Sequence, residues 1–422
     1  MSILRATATR AASGALLLAC IPTLAFAQAA ATQGGAPAAA KPSPLATLQR
    51  GIDFLLKNQE DGRFFMSMPG RRGGAPRKHF DAGLTGLALA AVQSKPHASR
   101  TPAEQKVIDQ GIAWLLEQQS RAGSFGQRTV VYATSSAVFA LAKARDGATK
   151  ELDAKLKSAL DRAGRFLKAV QNTEENKHAP SDVDYGGFGY GNRERADLSN
   201  TNFAIDALRK AGMSKDDEAL AKALVFLQRV QNLREVNKLT QETKDRSGKA
   251  IKMVSGDDGG ATYYPGTSPA GTLEMVNGSR SPKSYGSMTY ALLKTYTLCG
   301  VGRDDQRVQA AIRWVAKHWT VDENPGFDKS LGEAARYQGL FYYYMVMSQA
   351  LKTAGIEQLE VPASGAKPAQ KIDWRNELAA KLKELQAANG SWCNKRSDRW
   401  YEGLDVIASA YAMLALDSCI AK

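Results

Sequence analysis

The sequence of 422 residues is poor in the residues that build metal sites and disulfide frameworks. It contains four cysteines and four histidines, which is too few for a disulfide-stabilised scaffold. No group of these residues has the spacing of metal ligands, and no P-loop or dinucleotide-binding fingerprint occurs. We therefore predict no metal and no cofactor.

Long apolar runs are also scarce, and the net charge is strongly of one sign. After residue 27 no stretch reaches the roughly 20 apolar residues that a membrane-spanning helix needs, so no transmembrane span is predicted. Lysine and arginine exceed aspartate and glutamate by 14. A basic surface attracts acidic partners in general, but we predict no nucleic-acid partner. The apolar fraction of 44% and the charged fraction of 23% exclude a mostly disordered chain.

Residues 1–27 are typical of a secretory signal peptide. Two arginines precede an apolar stretch, and Ala25-Phe26-Ala27 matches a cleavage site. We expect an exported protein that is periplasmic or extracellular. The alternative is a lipoprotein anchored through Cys20, because the residues before this cysteine resemble a lipobox.

Three cysteines follow the predicted signal peptide, namely Cys299, Cys393 and Cys419. Their odd number leaves at least one unpaired in an oxidising compartment. We interpret them as small core residues, and the sequence leaves open whether any two of them meet.

A helical pattern recurs six times along the chain. Apolar residues fall at i, i+3, i+4 and i+7 with a charged opposite face, which is typical of helices buried on one side. After each copy comes an Ala-rich segment that is apolar almost all round, which predicts a helix covered on every face. The first set comprises residues 51–59, 111–119, 163–171, 223–231, 311–319 and 378–386, and the second comprises residues 84–92, 134–144, 201–208, 288–296, 339–351 and 409–416.

Six outer–inner helix pairs indicate a repeat architecture, because one pair cannot bury its own apolar face. Residues 28–44, rich in Ala, Gly and Pro, are predicted to form a flexible linker. Residues 45–422 are predicted to form a single all-α domain, an (α/α)6 toroid of six outer–inner helix pairs with almost no β structure. An open solenoid is the alternative.

The turns between the two layers carry a recognisable motif. Gln386, Gly390 and Trp392 match Gln-x-x-x-Gly-x-Trp in full, and residues 119–125 match it with Phe for Trp. The chain thereby resembles the squalene cyclase and protein prenyltransferase repeat superfamily, as a short exported bacterial member. The resemblance implies an α-α toroid and an isoprenoid-like ligand. The zinc site of the protein prenyltransferases needs an Asp-x-Cys pair that is absent here, so that activity is disfavoured.

The connections between the two layers differ in length. Links from an outer to an inner helix are long, as at 59–81, 171–197 and 231–284, whereas most links from inner to outer are short. All outer-to-inner links of a toroid lie at one end, to which the N-termini of the inner helices also point. Because long loops on a rigid frame often carry function, we predict a funnel-shaped site at this end.

Three inner helices are predicted to begin with an aspartate that is followed four residues later by Thr or Ser. These are Asp81, Asp197 and Asp405. One interpretation is that each aspartate caps its helix. The other is a ring of carboxylates that donate or accept protons in the funnel. His79, beside Asp81, is a fourth catalytic candidate, although a lone histidine is commonly a surface or core residue.

Further candidates for ligand binding lie in the long links. Aromatic side chains suit isoprenoid chains and stabilise carbocations, although such residues are equally ordinary core. Asp182, Asp184 and Tyr185 resemble the acidic Asp-x-Asp-Asp motif of the cyclising enzymes, with tyrosine in place of the last aspartate. The predicted ligand-binding residues are Tyr185, Tyr190, Tyr263, Tyr285, Trp400, Tyr401, Glu402 and Arg280.

Three functions are consistent with these patterns. The first is an enzyme or binding protein for an isoprenoid or another apolar small molecule in an aromatic funnel. The second is a non-catalytic scaffold whose rim loops bind another envelope protein or a polymer. The third is a carbohydrate-active (α/α)6 enzyme with two acidic residues. The fold by itself does not choose among them.

Overall fold

Twelve α-helices form two concentric layers in the part of the chain that the computed structural model describes, residues 43–68, 77–192, 194–244, 248–365 and 368–420. The predicted signal peptide and most of the predicted linker lie outside these residues. The outer helices are α1 (Pro44–Lys57), α3 (Pro102–Gln118), α5 (Lys150–Ala169), α7 (Glu218–Val230), α9 (Gln306–Lys317) and α11 (Trp374–Leu385). The inner helices are α2 (Ala82–Val92), α4 (Val130–Lys143), α6 (Leu198–Lys210), α8 (Gly286–Leu298), α10 (Leu340–Thr353) and α12 (Asp405–Cys419).

The inner helices close into a ring. Each packs against the next in chain order, and the last, α12, packs against the first, α2. The outer helix α1 contacts both α11 and α12, so the first and the sixth pair meet in the same way as their neighbours. The predicted (α/α)6 toroid is confirmed, and the open solenoid is wrong.

The residue pattern explains the two layers. The outer helix α9 buries Val308, Ala311 and Trp314 on one face, whereas the inner helix α2 buries almost every residue from Ala82 to Val92. Small residues let the inner helices approach closely. A Cβ atom on Gly86 of α2 would lie 2.6 Å from the backbone of α4, which is too close for any side chain.

One side-chain amide per turn ties an outer helix to the next outer helix. In each case the glutamine Nε2 donates to the carbonyl of the turn glycine and to a carbonyl of the following outer helix, at distances of 2.8–3.0 Å. Gln386 donates to Thr47 of α1 and thereby joins the sixth pair to the first. The four glutamines are Gln119, Gln171, Gln231 and Gln386.

A second repeated hydrogen bond ties each turn to its inner helix. The backbone N–H after the turn glycine donates to a buried Thr or Ser hydroxyl in the first turns of that helix, at 2.9–3.1 Å. At four of the five positions the donor is the aromatic residue that covers the turn. The acceptors are Thr85, Thr134, Thr201, Thr289 and Ser409, so the Thr and Ser of the predicted Asp-x-x-x-Thr pattern serve the turn.

The β structure of the described ranges is small, as expected, and consists of eight short strands that all lie in the connections between helices. Extended segments in long loops pair locally, since their backbone groups need partners away from the helices. The hairpin β1 (Phe65–Met68) and β2 (Arg77–Phe80) precedes α2, and a second hairpin, β7 (Leu359–Val361) and β8 (Gln370–Ile372), precedes α11. A four-stranded sheet of order β3-β4-β6-β5 precedes α8 and comprises β3 (Thr240–Lys244), β4 (Ala250–Val254), β5 (Thr272–Glu274) and β6 (Arg280–Pro282).

We call the end of the ring to which the N-termini of the inner helices point the upper rim. The links from α1, α5 and α7 all lie there, as predicted from their lengths. The link between α10 and α11 is also long, and it lies at the opposite rim, so long connections are not confined to one end. No helix in the described ranges is long and apolar enough to cross a membrane. Cys299 and Cys419 are buried core residues, Cys393 is half-buried, and all three are free thiols.

Replacing Gln386 by alanine should open the seam between the sixth and the first pair. The substitution removes two hydrogen bonds to buried carbonyls, and we expect a loss of about 1–3 kcal/mol in the free energy of unfolding. Hydrogen exchange should accelerate in α1 more than in α5. The control is Gln59→Ala, because the Gln59 side chain bonds only Leu56 and Gly62 next to it. Unchanged exchange in α1 would contradict the assigned role of Gln386.

Candidate functional site

Three predicted aspartates lie at the upper rim, at the starts of inner helices. Asp81 caps α2 by accepting from the backbone N–H of Leu84 at 2.8 Å, and Asp197 caps α6 in the same way. Asp405 differs, because it is the first residue of α12 and Leu404 occupies the N-cap position without a side-chain hydrogen bond. The Asp405 carboxylate instead accepts from the Ser391 hydroxyl at 3.1 Å.

Asp197 is the most deeply buried of the three, with 2% of its surface exposed. It accepts from the backbone N–H of Asn200 at 2.8 Å and from the Asn200 side-chain amide at 2.7 Å. Burial raises the pKa of the Asp197 carboxyl to about 6, although these donors act in the opposite direction. A group with this pKa can both donate and accept a proton near neutral pH.

Aromatic side chains from four helices and two loops form a cluster at the start of α6, the helix that Asp197 caps. The ring centroids of Tyr132 and Phe203 are 4.7 Å apart, and those of Phe203 and Tyr342 are 6.1 Å apart and stacked. Tyr132 also lies 5.9 Å from Tyr190, and Tyr342 lies 5.8 Å from Tyr411. The negative charge of Asp197 raises the pKa of several of these phenols, after the effect of burial. We call this set the tyrosine group; its members are Tyr132, Tyr190, Phe203, Tyr263, Tyr342 and Tyr411.

The first turn of α6 links the tyrosine group by hydrogen bonds. The Ser199 hydroxyl bonds the Tyr132 hydroxyl on one side and donates to the Tyr342 hydroxyl at 2.8 Å on the other. The hydroxyls of Tyr190 and Tyr263 are 3.3 Å apart. Phenols on α4, α10 and two loops therefore converge on one helix N-terminus.

Glu402, a predicted ligand contact, is completely buried and acts as a helix cap. Its carboxylate accepts from the backbone N–H of Tyr342 at 2.7 Å and from the Asn394 amide at 2.8 Å. Gly339, at the N-cap of α10, has no side chain for this purpose. Burial raises the pKa of Glu402 to about 7 against the effect of these donors. Its role in the structure is to hold the loop before α12 against the start of α10.

Trp400 and Tyr401, immediately before Glu402, both adopt a left-handed backbone conformation, with φ of 60° and 64°. Such values are costly for residues with a Cβ atom and are found where the surroundings impose them. Their side chains are 40% and 69% exposed, and Trp400 packs on the bare backbone of Gly339.

A cleft of about 440 Å³ opens at the upper rim. It lies between the end of α1, strand β1 and the first turns of α2 and α12. Phe54, Leu84 and Ile407 contribute apolar wall, and Asp405 contributes a carboxylate. Tyr411 follows Ile407 by one helical turn and so lies on the same face of α12. The cleft and the tyrosine group are thus neighbours along one helix.

The remaining predicted site residues lie apart from this arrangement. His79 is exposed on strand β2, Tyr185 is buried and donates to Glu174 at 2.9 Å, and Arg280 is half-buried on strand β6. Within the described ranges, no hydrogen bond or ring contact joins any of them to the tyrosine group. Tyr285 occupies the N-cap position of α8 without a side-chain hydrogen bond, is 1% exposed, and has its ring centroid 5.2 Å from that of Phe327.

Asp182 and Asp184, compared above with a catalytic motif, have structural partners. Asp182 accepts from the backbone N–H of Ala179 at 2.8 Å, and Asp184 accepts from the Asn172 amide at 3.1 Å and lies 3.3 Å from His178. Among the residues that the structure describes, no group of three or more His, Cys, Asp or Glu could hold a metal ion.

Several residues of the site were not predicted from the sequence. Tyr132, Ser199, Phe203 and Tyr411 sit within inner helices, where apolar or small neighbours made them look like core. The signal that could have identified this site is the presence of polar residues inside an otherwise apolar helix. Residues 199–202 (Ser-Asn-Thr-Asn) place four buried polar side chains in one turn of α6, which a helix built only for packing would not contain.

Replacing Asp197 by asparagine should stabilise the fold at high pH and not at low pH. The folded carboxyl binds its proton more tightly than the unfolded one, so its burial costs free energy that builds up from about pH 4, the ordinary pKa of an aspartate, and is complete above about pH 6. We expect a gain of up to about 3 kcal/mol at pH 8, the value of about two pKa units, and little change at pH 4. The unpaired Oδ1 of Asn200 could accept from the new amide after a flip.

Thermal unfolding of both proteins from pH 4 to pH 8 checks this prediction. Asp182→Asn, in the half-exposed loop between α5 and α6, is the control and should show no such divergence. A midpoint difference between Asp197→Asn and the unaltered chain that does not grow with pH would contradict the assigned environment of Asp197.

Comparison with known proteins gives a likeness in structure only. No protein-family model and no curated protein matches the sequence. Similar solved structures include a protein from Actinoplanes, 12% identical with a TM-score of 0.47 over 89% of this chain and 99% of that chain. The type II terpene cyclase MstE from Scytonema, in its apo form, is 12% identical with a TM-score of 0.48 over 89% and 97% of the two chains. A variant of that cyclase with geranylgeranyl dihydroxybenzoate, its substrate, is 12% identical with a TM-score of 0.46 over the same shares. Values this low say nothing about chemistry.

Proposed function

We propose that this chain binds an isoprenoid-like, largely apolar small molecule at the upper rim and that Asp197 exchanges a proton with it. The observation that carries the proposal is a carboxyl with 2% exposure and a pKa of about 6, in the cap of the helix at whose start the tyrosine group lies. A buried, protonated carboxylic acid is a suitable proton donor to a weakly basic group, and the surrounding ring faces stabilise a developing cation.

The cleft supplies the place for the apolar part of the ligand. Its volume of about 440 Å³ falls within the roughly 300–1,000 Å³ of small-molecule sites. Its apolar walls run from Phe54 and Phe65 on one side to Val406 and Ile407 on the other, and Lys57 and Asp405 add one charge of each sign. An elongated ligand could lie along the first turns of α12 with one end toward Tyr411 and Tyr342.

A second candidate is a non-catalytic binding protein. It is favoured by the hydrogen bonds of Asp197, whose carboxylate already accepts from the backbone and the side-chain N–H groups of Asn200 and therefore serves as a helix cap. Such a protein would bind the same apolar ligand and release it unchanged. The two candidates differ only in whether a product forms.

Ligand binding can be tested with a cleft variant that keeps the fold. Leu404 lines the cleft and sits at the uncapped N-cap of α12, where aspartate is a preferred residue. Leu404→Asp should therefore preserve stability while it places a charge in the apolar cleft. We expect squalene or a polyprenol to raise the melting temperature of the unaltered protein and to have little effect on this variant.

The matched control is Leu331→Asp, an exposed leucine in the link between α9 and α10, which should retain the ligand-induced shift. A shift with oligosaccharides instead of apolar ligands, or a shift that survives Leu404→Asp, would argue against the proposed site. Mass spectrometry of the recovered ligand then separates the two candidates. An altered ligand that disappears with Asp197→Asn supports proton transfer, and an unaltered ligand supports binding alone.

We also propose that the protein is exported and that residues 1–27 are removed. Support comes from the sequence alone, namely the apolar stretch and the small-residue site before Gln28. N-terminal sequencing of the protein from an envelope fraction should begin at Gln28. A chain that begins with a lipid-modified Cys20 would show the lipoprotein alternative, and an intact Met1 would contradict export.

A further inference from the structure

We propose that the ligand of the cleft is an amphiphile with a zwitterionic head, whose negative group binds Lys57 and whose positive group binds Asp405. The inference deepens the function proposed above and rests on it, because it names the class of ligand that the same cleft takes. Its basis is one charge of each sign in the lining of a cleft whose walls are otherwise apolar or neutral. The side chains of Lys57 and Asp405 form no ion pair with each other.

Lys57 has no partner for its positive charge in the described part of the protein. It is the last residue of α1, its side chain is exposed, and it forms no hydrogen bond or ion pair with any described residue. One turn earlier, Asp53 accepts from the Gln49 amide at 3.0 Å. In the turn that follows α1, Glu60 pairs with Lys78. The ammonium group of Lys57 is therefore available to an anionic group in the cleft.

Asp405 is in the complementary position. Its carboxylate accepts from the Ser391 hydroxyl at 3.1 Å, and the same hydroxyl lies 2.9 Å from the Asn389 side-chain oxygen. One hydroxyl proton cannot serve both acceptors at once, so Asp405 only shares this donor. No lysine or arginine within the described ranges forms an ion pair with Asp405. Its negative charge is therefore available to a cationic group in the cleft.

The ends of two helices stabilise the two charges where they stand. Lys57 ends α1, where the helix dipole favours a cation, and Asp405 begins α12, where the dipole favours an anion. Because α1 and α12 pack against each other, both helix ends lie at one cleft. Neither charge depends on a counter-ion from the protein, and both remain open to a ligand.

Charge complementarity selects the head group. A wholly apolar ligand would displace water from both charges without replacing its interactions, at a cost in free energy. A head with one charge would pair with one side chain and meet a like charge on the other. A zwitterionic head supplies a partner to each, while the chain packs against walls such as Phe54, Leu84 and Ile407. The ligand class is therefore an alkyl or isoprenoid chain whose head carries an ammonium group and an anionic group.

The test compares four dodecyl compounds that share one chain and differ in the head. Dodecanol is neutral, dodecyl phosphate is negative, dodecyltrimethylammonium is positive, and dodecylphosphocholine carries both charges. Dissociation constants are measured with the full chain by titration calorimetry, below the critical micelle concentration of each compound. We expect dodecylphosphocholine to bind about tenfold more tightly than dodecanol, the combined effect of two partly exposed ion pairs. The singly charged compounds should bind within about threefold of dodecanol, because attraction to one side chain is offset by repulsion from the other.

Two variants remove one charge each and should reverse the choice between the singly charged compounds. Lys57→Gln leaves only the carboxylate and should prefer dodecyltrimethylammonium, whereas Asp405→Asn leaves only the ammonium group and should prefer dodecyl phosphate. The quantity compared is the ratio of the two dissociation constants on one variant, so that a general weakening of the cleft cancels. Residues with a purely structural role would not produce this reversal.

Lys383→Gln is the matched control. Lys383 lies in the last turn of the outer helix α11, as Lys57 does in α1, and it is likewise exposed, but it does not line the cleft. Its replacement removes the same charge elsewhere on the surface and should keep the binding ratios of the unaltered protein.

Equal binding of dodecanol and dodecylphosphocholine by the unaltered protein would overturn the zwitterionic head and leave the proposed apolar ligand in place. A preference for dodecylphosphocholine that persists unchanged in both Lys57→Gln and Asp405→Asn would overturn the assignment of the two charges. If no dodecyl compound binds while squalene or a polyprenol raises the melting temperature, the inference alone is wrong. If none of these compounds binds, the proposed function and the inference are both wrong.

Discussion

The ring depends on a hydrogen bond that four of its six turns make to the outer helix after them. A glutamine amide has two N–H groups, and in four turns it uses them on two carbonyls, one in its own turn and one in the next outer helix. Each tie fixes the angle between successive pairs. Repeated around the ring, this angle brings Gln386 to Thr47, and the closed ring leaves no exposed end.

Closure also sets the chemistry of the upper rim. Six inner helices direct their N-termini to one end, where free backbone N–H groups and the helix dipoles favour negative charge. Asp81, Asp197 and Glu402 supply this negative charge and accept hydrogen bonds from the free N–H groups. Asp197 and Glu402 do so in places where burial opposes ionisation. At Asp197 the helix terminus favours the carboxylate, whereas the buried surroundings favour the neutral acid. The balance of the two brings the pKa of this carboxyl to about 6.

The architecture could be predicted from the sequence because its apolar pattern repeats. Apolar stripes and Ala-rich segments recur at the same relative positions, and both layers follow from burial alone. Asp197 could also be predicted from the sequence, since the start of a helix has a local signature. Tyr190 and Tyr263 of the tyrosine group were predicted as ligand contacts, but Tyr132, Phe203 and Tyr411 were not, because these three meet only when the helices that carry them close the ring. Local sequence likewise gave no indication that Glu402 caps a helix that begins sixty residues earlier, since the partners meet through tertiary packing.

The structure of the loops could be predicted only in part. Their length predicted that they matter, but the strands in them depend on pairings between segments whose register has no periodic signal. His79 and Arg280 were chosen for residue type and lie on such strands, apart from the tyrosine group. Trp400 and Tyr401 were predicted as ligand contacts because they are aromatic. Their left-handed backbone conformation could not be predicted from residue type.

The bond between Gln386 and Thr47 joins positions 339 residues apart, and this separation has a kinetic meaning. Contacts between distant positions carry a large entropic cost of loop closure and tend to form late in folding. An arc of the first five pairs has local contacts but leaves the apolar sides of α1 and α2 without a partner. The nascent domain must therefore expose apolar surface until its final helix is available. Packing of the last repeat against the first buries this surface and ends the stage at which the chain is prone to aggregate.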